Sequence, residues 1–208
     1  MKRKLSILFS MVLVFSLFFS NNMIAKASTT DDNNSDSYKS AMLQVVDYMN
    51  THASKFDSTE TKTYVIPLKD GTTAYSTVSI EDVTPTLARS TSYESNPAEL
   101  GHTYTWTWTV TLDAALGGNA VIKVNYTVSS SSAYTITGNY TTINVSPPQG
   151  YQFLNSNMYF ISSSPEISAT GYSSCKAPVY EIYINQYYDV SMYGTPGYVN
   201  VSYSTYFL

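Results

Sequence analysis

Few side chains in this 208-residue chain could carry out acid–base or nucleophilic chemistry. His52, His102 and Cys175 lie in no metal-binding or nucleophile motif. Several carboxylates could pair to cleave a glycosidic bond, although only their separation in space would show it: Glu81, Asp82, Glu94, Glu99 and Asp113. This inventory favours a non-catalytic protein without metal or cofactor over an enzyme. The enzyme alternative predicts a cleft that joins carboxylates or His102 near residues 84–101.

The clearest aromatic pattern lies at residues 102–112. Threonine fills every odd position from 103 to 111, and the even positions carry large, mostly apolar side chains. This alternation predicts a strand with one apolar face. Aromatic rings in line can stack on sugar rings, so Tyr104, Trp106 and Trp108 are candidate ligand-binding residues. Val110 and Leu112 continue the same face, which favours a core position for the row over a binding platform.

Tyrosine is the second candidate feature, with 20 residues in the chain. In the predicted strand 178–193, Tyr183 and Tyr187 alternate with polar residues and so belong to the solvent face. Exposed tyrosine offers a large contact area and loses little rotamer entropy on binding. Tyr183 and Tyr187 are therefore candidate binding residues. The alternative is that cross-strand tyrosine pairs only stiffen an exposed sheet.

The elements that position these residues are one helix and a β domain. Apolar residues at steps of three and four predict a helix over 37–55 that is buried through Tyr38, Met42, Val45, Met49 and Phe56. Strand patterns follow at 62–68, 73–83, 102–113, 119–129, 133–138, 140–146, 157–170, 178–193 and 197–207. Their spacing predicts a mainly β fold, an antiparallel β-sandwich with a barrel-like alternative and one N-terminal amphipathic helix. Pro67 predicts an edge strand.

The connection over residues 84–101 has no clear strand or helix pattern. It contains Pro85 and Pro97 and is longer than the connections that compact domains usually have. Such a segment is either functional or disordered, and the sequence does not decide between the two.

The N-terminus predicts export. Three basic residues precede an apolar run, and the small residues Ala25 and Ala27 flank Lys26 at a cleavage signature. Residues 1–27 resemble the export signal of a Gram-positive bacterium, with cleavage near Ala27. We expect a polar, acidic spacer at 28–36 to follow. A single domain at 37–208 comes after it and contains the β-sandwich at 62–208. The expected product is secreted and has no stable membrane anchor.

Charge narrows the class of partner. Four of the 11 cationic residues lie in residues 1–27, so the mature chain has seven against 15 carboxylates, a net charge of −8. Scattered cations on an acidic chain argue against binding of nucleic acid. A single cysteine cannot form an intrachain disulfide, and we expect Cys175 to be a buried apolar side chain.

Together these patterns predict a secreted, non-catalytic module that binds an extracellular glycan or protein. The first alternative is the glycan-active enzyme. The second is a pore-forming protein, because residues 103–128 read as an amphipathic hairpin with strands long enough to cross a bilayer. The sequence leaves the ligand, the strand order and the oligomeric state open.

Overall fold

The computed structural model of the protein describes residues 33–85, 97–129, 135–178 and 181–208. The predicted signal peptide, part of the predicted spacer and most of the long connection lie outside these ranges. Helix α1 spans residues 33–52. Ten strands follow: β1 (Lys55–Phe56), β2 (Lys62–Pro67), β3 (Thr73–Asp82), β4 (Thr103–Thr111), β5 (Gly117–Val128), β6 (Ile136–Pro148), β7 (Gln152–Ser162), β8 (Ile167–Lys176), β9 (Tyr183–Thr195) and β10 (Tyr198–Phe207).

The strands form two antiparallel sheets of five strands each. Sheet I has the order β2-β3-β4-β5-β6, and sheet II has the order β1-β10-β9-β8-β7. Their inner faces meet where Trp106 and Trp108 of sheet I contact the ring of Tyr203 in sheet II, with ring centroids 5.9 and 4.8 Å apart. The predicted antiparallel sandwich is therefore confirmed, as two separate sheets and not as a barrel. Pro67 lies on the edge strand β2, also as predicted.

Two strand assignments from the sequence are wrong. The strands predicted at 133–138 and 140–146 are one strand, β6, because a bulge at Asn139 keeps the chain paired with β5. The strand predicted at 157–170 is two strands, β7 and β8, which flank a turn around Pro165. Since proline cannot donate to a ladder of backbone hydrogen bonds, the chain turns there despite its β-like composition.

The helix also differs from its predicted range of 37–55. Residues 33–36, which the sequence places in the spacer, already belong to α1, and Asn34 donates a side-chain hydrogen bond to the backbone oxygen of Gln149. Phe56 lies on β1, a strand of two residues that is too short to leave a pattern. The predicted buried stripe is confirmed: Tyr38, Met42, Val45, Met49 and Phe56 are all at most 3% exposed.

The helix closes one open side of the sandwich. Asn50 bonds to the backbone of Tyr203 twice: its amide nitrogen donates to the carbonyl oxygen at 2.8 Å, and its side-chain oxygen accepts from the N–H at 2.9 Å. The N–H of Val201 donates to Ser54 on the same side of β10. Because β1 begins only at Lys55, which pairs with Asn200, the Asn50 amide occupies the place that an earlier residue of a longer β1 would fill beside Tyr203 on β10.

Asn50→Ala removes both hydrogen bonds to Tyr203 and leaves a backbone donor and acceptor on β10 without partners. The change should lower the free energy of unfolding by about 1–2 kcal/mol. Urea denaturation of the two proteins measures the difference. Thr51→Ala is the matched control, since the Thr51 hydroxyl bonds only within the helix, to the Asp47 carbonyl. An equal loss in both variants would contradict this role of Asn50.

Candidate functional site

The aromatic row of β4 is buried. Tyr104, Trp106 and Trp108 are 1%, 0% and 1% exposed, because this face of sheet I packs against sheet II. The indole nitrogen of Trp108 donates to Ser76 Oγ at 2.8 Å, which ties the row to β3. None of the three rings can reach a ligand in this fold. The hypothesis that they form a binding platform is therefore wrong, and the alternative of a core position is correct.

The solvent-facing tyrosines of sheet II form a row across three strands. Tyr172 of β8 pairs with Tyr187 of β9, which pairs in turn with Tyr206 of β10. The rings of Tyr187 and Tyr206 are parallel, with an interplanar angle of 2° and centroids 4.8 Å apart. The Tyr172 ring is tilted by 39° to that of Tyr187, at 6.4 Å. We call these three residues the tyrosine row.

The geometry of the tyrosine row decides what it can offer a ligand. The stacked faces of Tyr187 and Tyr206 cover each other, so these rings present their edges and hydroxyls outward. Among the described residues, no hydrogen bond engages the hydroxyls of the three tyrosines. The row can therefore give hydrogen bonds and ring edges to a partner, but it lacks the open, coplanar faces on which sugars stack.

Polar side chains that are fixed by hydrogen bonds surround the tyrosine row. Thr170 donates to Asp189 at 2.5 Å, and Ser174 donates to Asn185 at 2.7 Å. Tyr183, the second predicted surface tyrosine, is 43% exposed, and Lys176 Nζ lies 5.4 Å from its ring centroid. Tyr183 and Tyr187 thus share one face of sheet II. Tyr172 and Tyr206 were not among the predicted binding residues, although their alternation within β8 and β10 places them on the same face.

Sheet II carries little charge. Its five strands contain two lysines, Lys55 and Lys176, and one carboxylate, Asp189. Lys55 Nζ lies 3.8 Å from the ring centroid of Tyr198, in a cation–π contact. Most carboxylates of this acidic chain therefore lie outside sheet II, and its outer face suits a partner without strong charge.

His102 lies between two carboxylates, directly before the first residue of β4. Its Nδ1 atom is 3.1 Å from Asp82 Oδ2, and its Nε2 atom is 3.4 Å from Glu99 Oε1. Its side chain is only 8% exposed. Partial burial alone would raise the pKa of Asp82. Hydrogen bonds from Thr84 and His102, together with the charge of His102, have the larger opposite effect, so the pKa of Asp82 is lowered. These contacts tie the ends of the 84–101 connection together and leave neither ring nitrogen free for a substrate.

An open groove of about 530 Å³ lies elsewhere, between α1 and β2. Tyr48 and His52 line it, and their rings are stacked with centroids 4.0 Å apart. Asp47 and Lys69 add one charge of each sign. His52 Nδ1 is 3.0 Å from the Tyr48 carbonyl oxygen, so this nitrogen carries its proton and donates within the helix. No carboxylate lines the groove besides Asp47.

Cys175 is buried at 2% exposure, in agreement with the sequence prediction. Burial raises the pKa of its thiol to about 11, so the reactive thiolate is scarce at neutral pH. In the described part of the chain, no three His, Cys, Asp or Glu side chains are grouped so that they could hold a metal ion. No helix in the described residues is both long and apolar enough to span a membrane.

Trp106 and Trp108 make a matched pair for testing the buried row. Within the described residues the indole nitrogen of Trp106 has no hydrogen-bond partner, whereas that of Trp108 bonds to Ser76. Trp108→Phe leaves the buried Ser76 hydroxyl unpaired, so it should destabilise the protein by about 1–2 kcal/mol more than Trp106→Phe. Urea denaturation gives the comparison. Wild-type tryptophan emission should also be blue-shifted and resist acrylamide, and red-shifted, readily quenched emission from the folded protein would contradict the burial.

Asp82→Asn tests the electrostatic contacts of His102. Because the native pKa of Asp82 is lowered, its ionised form stabilises the fold above the pKa of the unfolded chain, and this contribution is lost as pH falls through the native pKa. The wild type should be more stable than the variant at pH 7, and the gap should narrow below about pH 4. Denaturation at several pH values measures this. Asp57→Asn, at an exposed carboxylate, is the control, and a gap that does not change with pH would contradict the assignment.

Comparisons with models of known protein families, with curated proteins and with solved structures found no match. The arguments for function therefore come from the surfaces of this chain.

Proposed function

We propose that the protein is a secreted, non-catalytic binding module and that its partner is an extracellular protein that contacts the outer face of sheet II. The single observation that carries the proposal is the tyrosine row, in which the rings of Tyr172, Tyr187 and Tyr206 lie side by side on the solvent face of sheet II. A sheet face on which neighbouring residues fix the rings loses little entropy when a partner binds.

The composition of this face supports a protein partner. Tyrosine, serine, threonine and asparagine dominate it, and the same residue types, apart from threonine, are enriched in antibody binding sites. Tyrosine supplies contact area there, and the small polar residues supply adaptable hydrogen bonds. A protein is favoured over a glycan because stacking covers one face of Tyr187 and one face of Tyr206, and the Tyr172 ring is tilted, so the row offers no continuous flat surface to a sugar.

The two alternative functions have less support. Catalysis at His102 lacks a free ring nitrogen, because Asp82 and Glu99 face both nitrogens, and the described groove lies beside His52 instead. Pore formation would require β4 and β5 to leave sheet I. These two strands are held by β3 on one side and β6 on the other, and their apolar face fills the core.

The proposal is tested with a double variant of the tyrosine row, Tyr172→Ser with Tyr206→Ser. Immobilised wild-type protein should retain a specific component of bacterial or host surface extracts, and the double variant should bind it at least about tenfold more weakly. Surface plasmon resonance with the purified component measures both affinities. The change removes two rings from the proposed contact and keeps Tyr187.

Tyr75→Ser is the matched control, because Tyr75 is 49% exposed but lies on sheet I. It should bind like the wild type. Retention of a polysaccharide in place of a protein would refute the choice of partner. Retention of nothing above background, or equal loss in the double variant and in Tyr75→Ser, would refute the proposal as a whole.

A further inference from the structure

Asp189 is the one carboxylate in the strands of sheet II, and it lies beside the tyrosine row. It follows Tyr187 by two residues on β9, so the two side chains share the outer face of the sheet. Its neighbours across the sheet are Thr170 of β8 and Ser204 of β10. The negative charge of these strands is therefore concentrated at one position next to the proposed contact.

The charge of Asp189 is not neutralised by the described part of the chain. Its Oδ1 atom accepts a hydrogen bond from Thr170 at 2.5 Å, and among the described residues its side chain has no further hydrogen bond and no ion pair. Lys176, a cation of the same sheet, places its Nζ atom 3.9 Å from Glu181 Oε1 instead. Thr170 thus holds the carboxylate in place, and the charge remains available to a ligand.

Tyrosines lie on both sides of Asp189. Tyr206 of β10 pairs with Tyr187, which places it diagonally across from Asp189. On the other side, Tyr159 of β7 pairs with Thr170 and is 54% exposed. Partial burial raises the pKa of Tyr206, and the charge of Asp189 raises it further. Tyr187 and Tyr159 add smaller effects in the same direction, so the carboxylate and these phenols are within electrostatic reach of one another.

This set of groups suits a guanidinium ion. A carboxylate accepts its N–H groups in charge-assisted hydrogen bonds, phenol oxygens accept others, and tyrosine rings attract its positive charge. Sheet II already contains one contact of the last kind, because Lys55 Nζ lies 3.8 Å from the ring centroid of Tyr198. A metal ion would need more ligands, and the described residues group no three His, Cys, Asp or Glu side chains for one.

We propose that Asp189 and the tyrosine row form a binding site for an arginine side chain, which the extracellular protein partner supplies. The inference rests on the proposed function, because it names the residue that the partner would place on this face. Charge complementarity supports this occupant, since the chain has 15 carboxylates against 11 lysines and arginines and Asp189 is unpaired. The rest of the face is nearly neutral, so a partner with one arginine among uncharged residues fits it. Arginine is preferred to lysine because its planar group can bond to a carboxylate and lie against a ring at the same time.

The site is tested first with a small probe, N-acetylarginine amide, added to isotope-labelled protein that is purified from cells expressing the full chain. The probe should shift the amide NMR signals around Asp189 in a saturable way, with a Kd of the order of 1 mM. High salt should weaken this binding. N-acetylcitrulline amide has the same shape without the charge and should bind at least about tenfold more weakly.

Asp189→Asn should weaken binding of the arginine probe at least about tenfold, because it removes the charge and keeps an oxygen for Thr170. Glu81→Gln is the matched control and should bind the probe like the wild type. Glu81 is exposed on β3 and, like Asp189, pairs with a threonine, Thr105. Its described neighbours on the outer face of sheet I include no tyrosine.

The captured protein partner gives the second test. Asp189→Asn should weaken its binding at least about tenfold and reduce the dependence of its affinity on salt. An unchanged affinity in Asp189→Asn, together with a loss in the double variant of the tyrosine row, would overturn the inference and leave the proposed function intact. Equal binding of the arginine and citrulline probes, or no saturable shift with either, would also overturn it. A saturable arginine site that depends on Asp189, in a protein that captures no partner, would support the site and refute the proposed function alone.

Discussion

Tyr203 joins the three parts of the molecule. Its ring contacts Trp106 and Trp108 of sheet I, and its hydroxyl donates to the carbonyl oxygen of Ala53 just after the helix. Its carbonyl oxygen accepts a hydrogen bond from the Asn50 amide nitrogen, and its N–H donates one to the Asn50 amide oxygen. A single residue of β10 thus fixes the spacing of the sheets and the position of the helix, and burial raises the pKa of its phenol well above the usual range. The outward side chains of β10, including Tyr206, take their positions from these inward contacts.

Tyrosine has different roles on the two faces of sheet II. At the inner face, Tyr188 of β9 and Tyr38 of α1 each donate at 2.8 Å to the side-chain oxygen of Gln186, whose nitrogen donates to Thr205. The buried amide of Gln186 and both phenols are thereby hydrogen-bonded, as polar groups in a low-dielectric interior must be. On the outer face the phenols of the tyrosine row stay in water. Tyr187 and Tyr188 have different environments because neighbouring residues of β9 point to opposite faces of the sheet, and not because of any difference in residue type.

The sequence predicted the features that depend on alternation. The one-sided pattern of residues 103–111 identified β4, and the steps of three and four in α1 identified its buried stripe. Pro67 correctly indicated that β2 is an edge strand. Alternation could not show that Tyr172, Tyr187 and Tyr206 lie in one row, because cross-strand register depends on turns and bulges that involve distant segments. For the same reason the contact of His102 with Asp82, which joins the end of β3 to the start of β4, could not be predicted from the sequence.

The two outer faces of the sandwich differ in how their polar groups are satisfied. On sheet I, Asn125 donates to Thr105, Asn139 donates to Asn125, and Thr103 bonds to Thr127, so neighbouring side chains use one another's hydrogen-bonding groups. On sheet II the tyrosine hydroxyls have no such neighbours among the described residues. A partner that bonds to these side chains of sheet I must replace existing bonds, whereas one that bonds to the hydroxyls of the tyrosine row displaces only water. This difference, together with the low charge of sheet II, makes its outer face the better candidate for recognition.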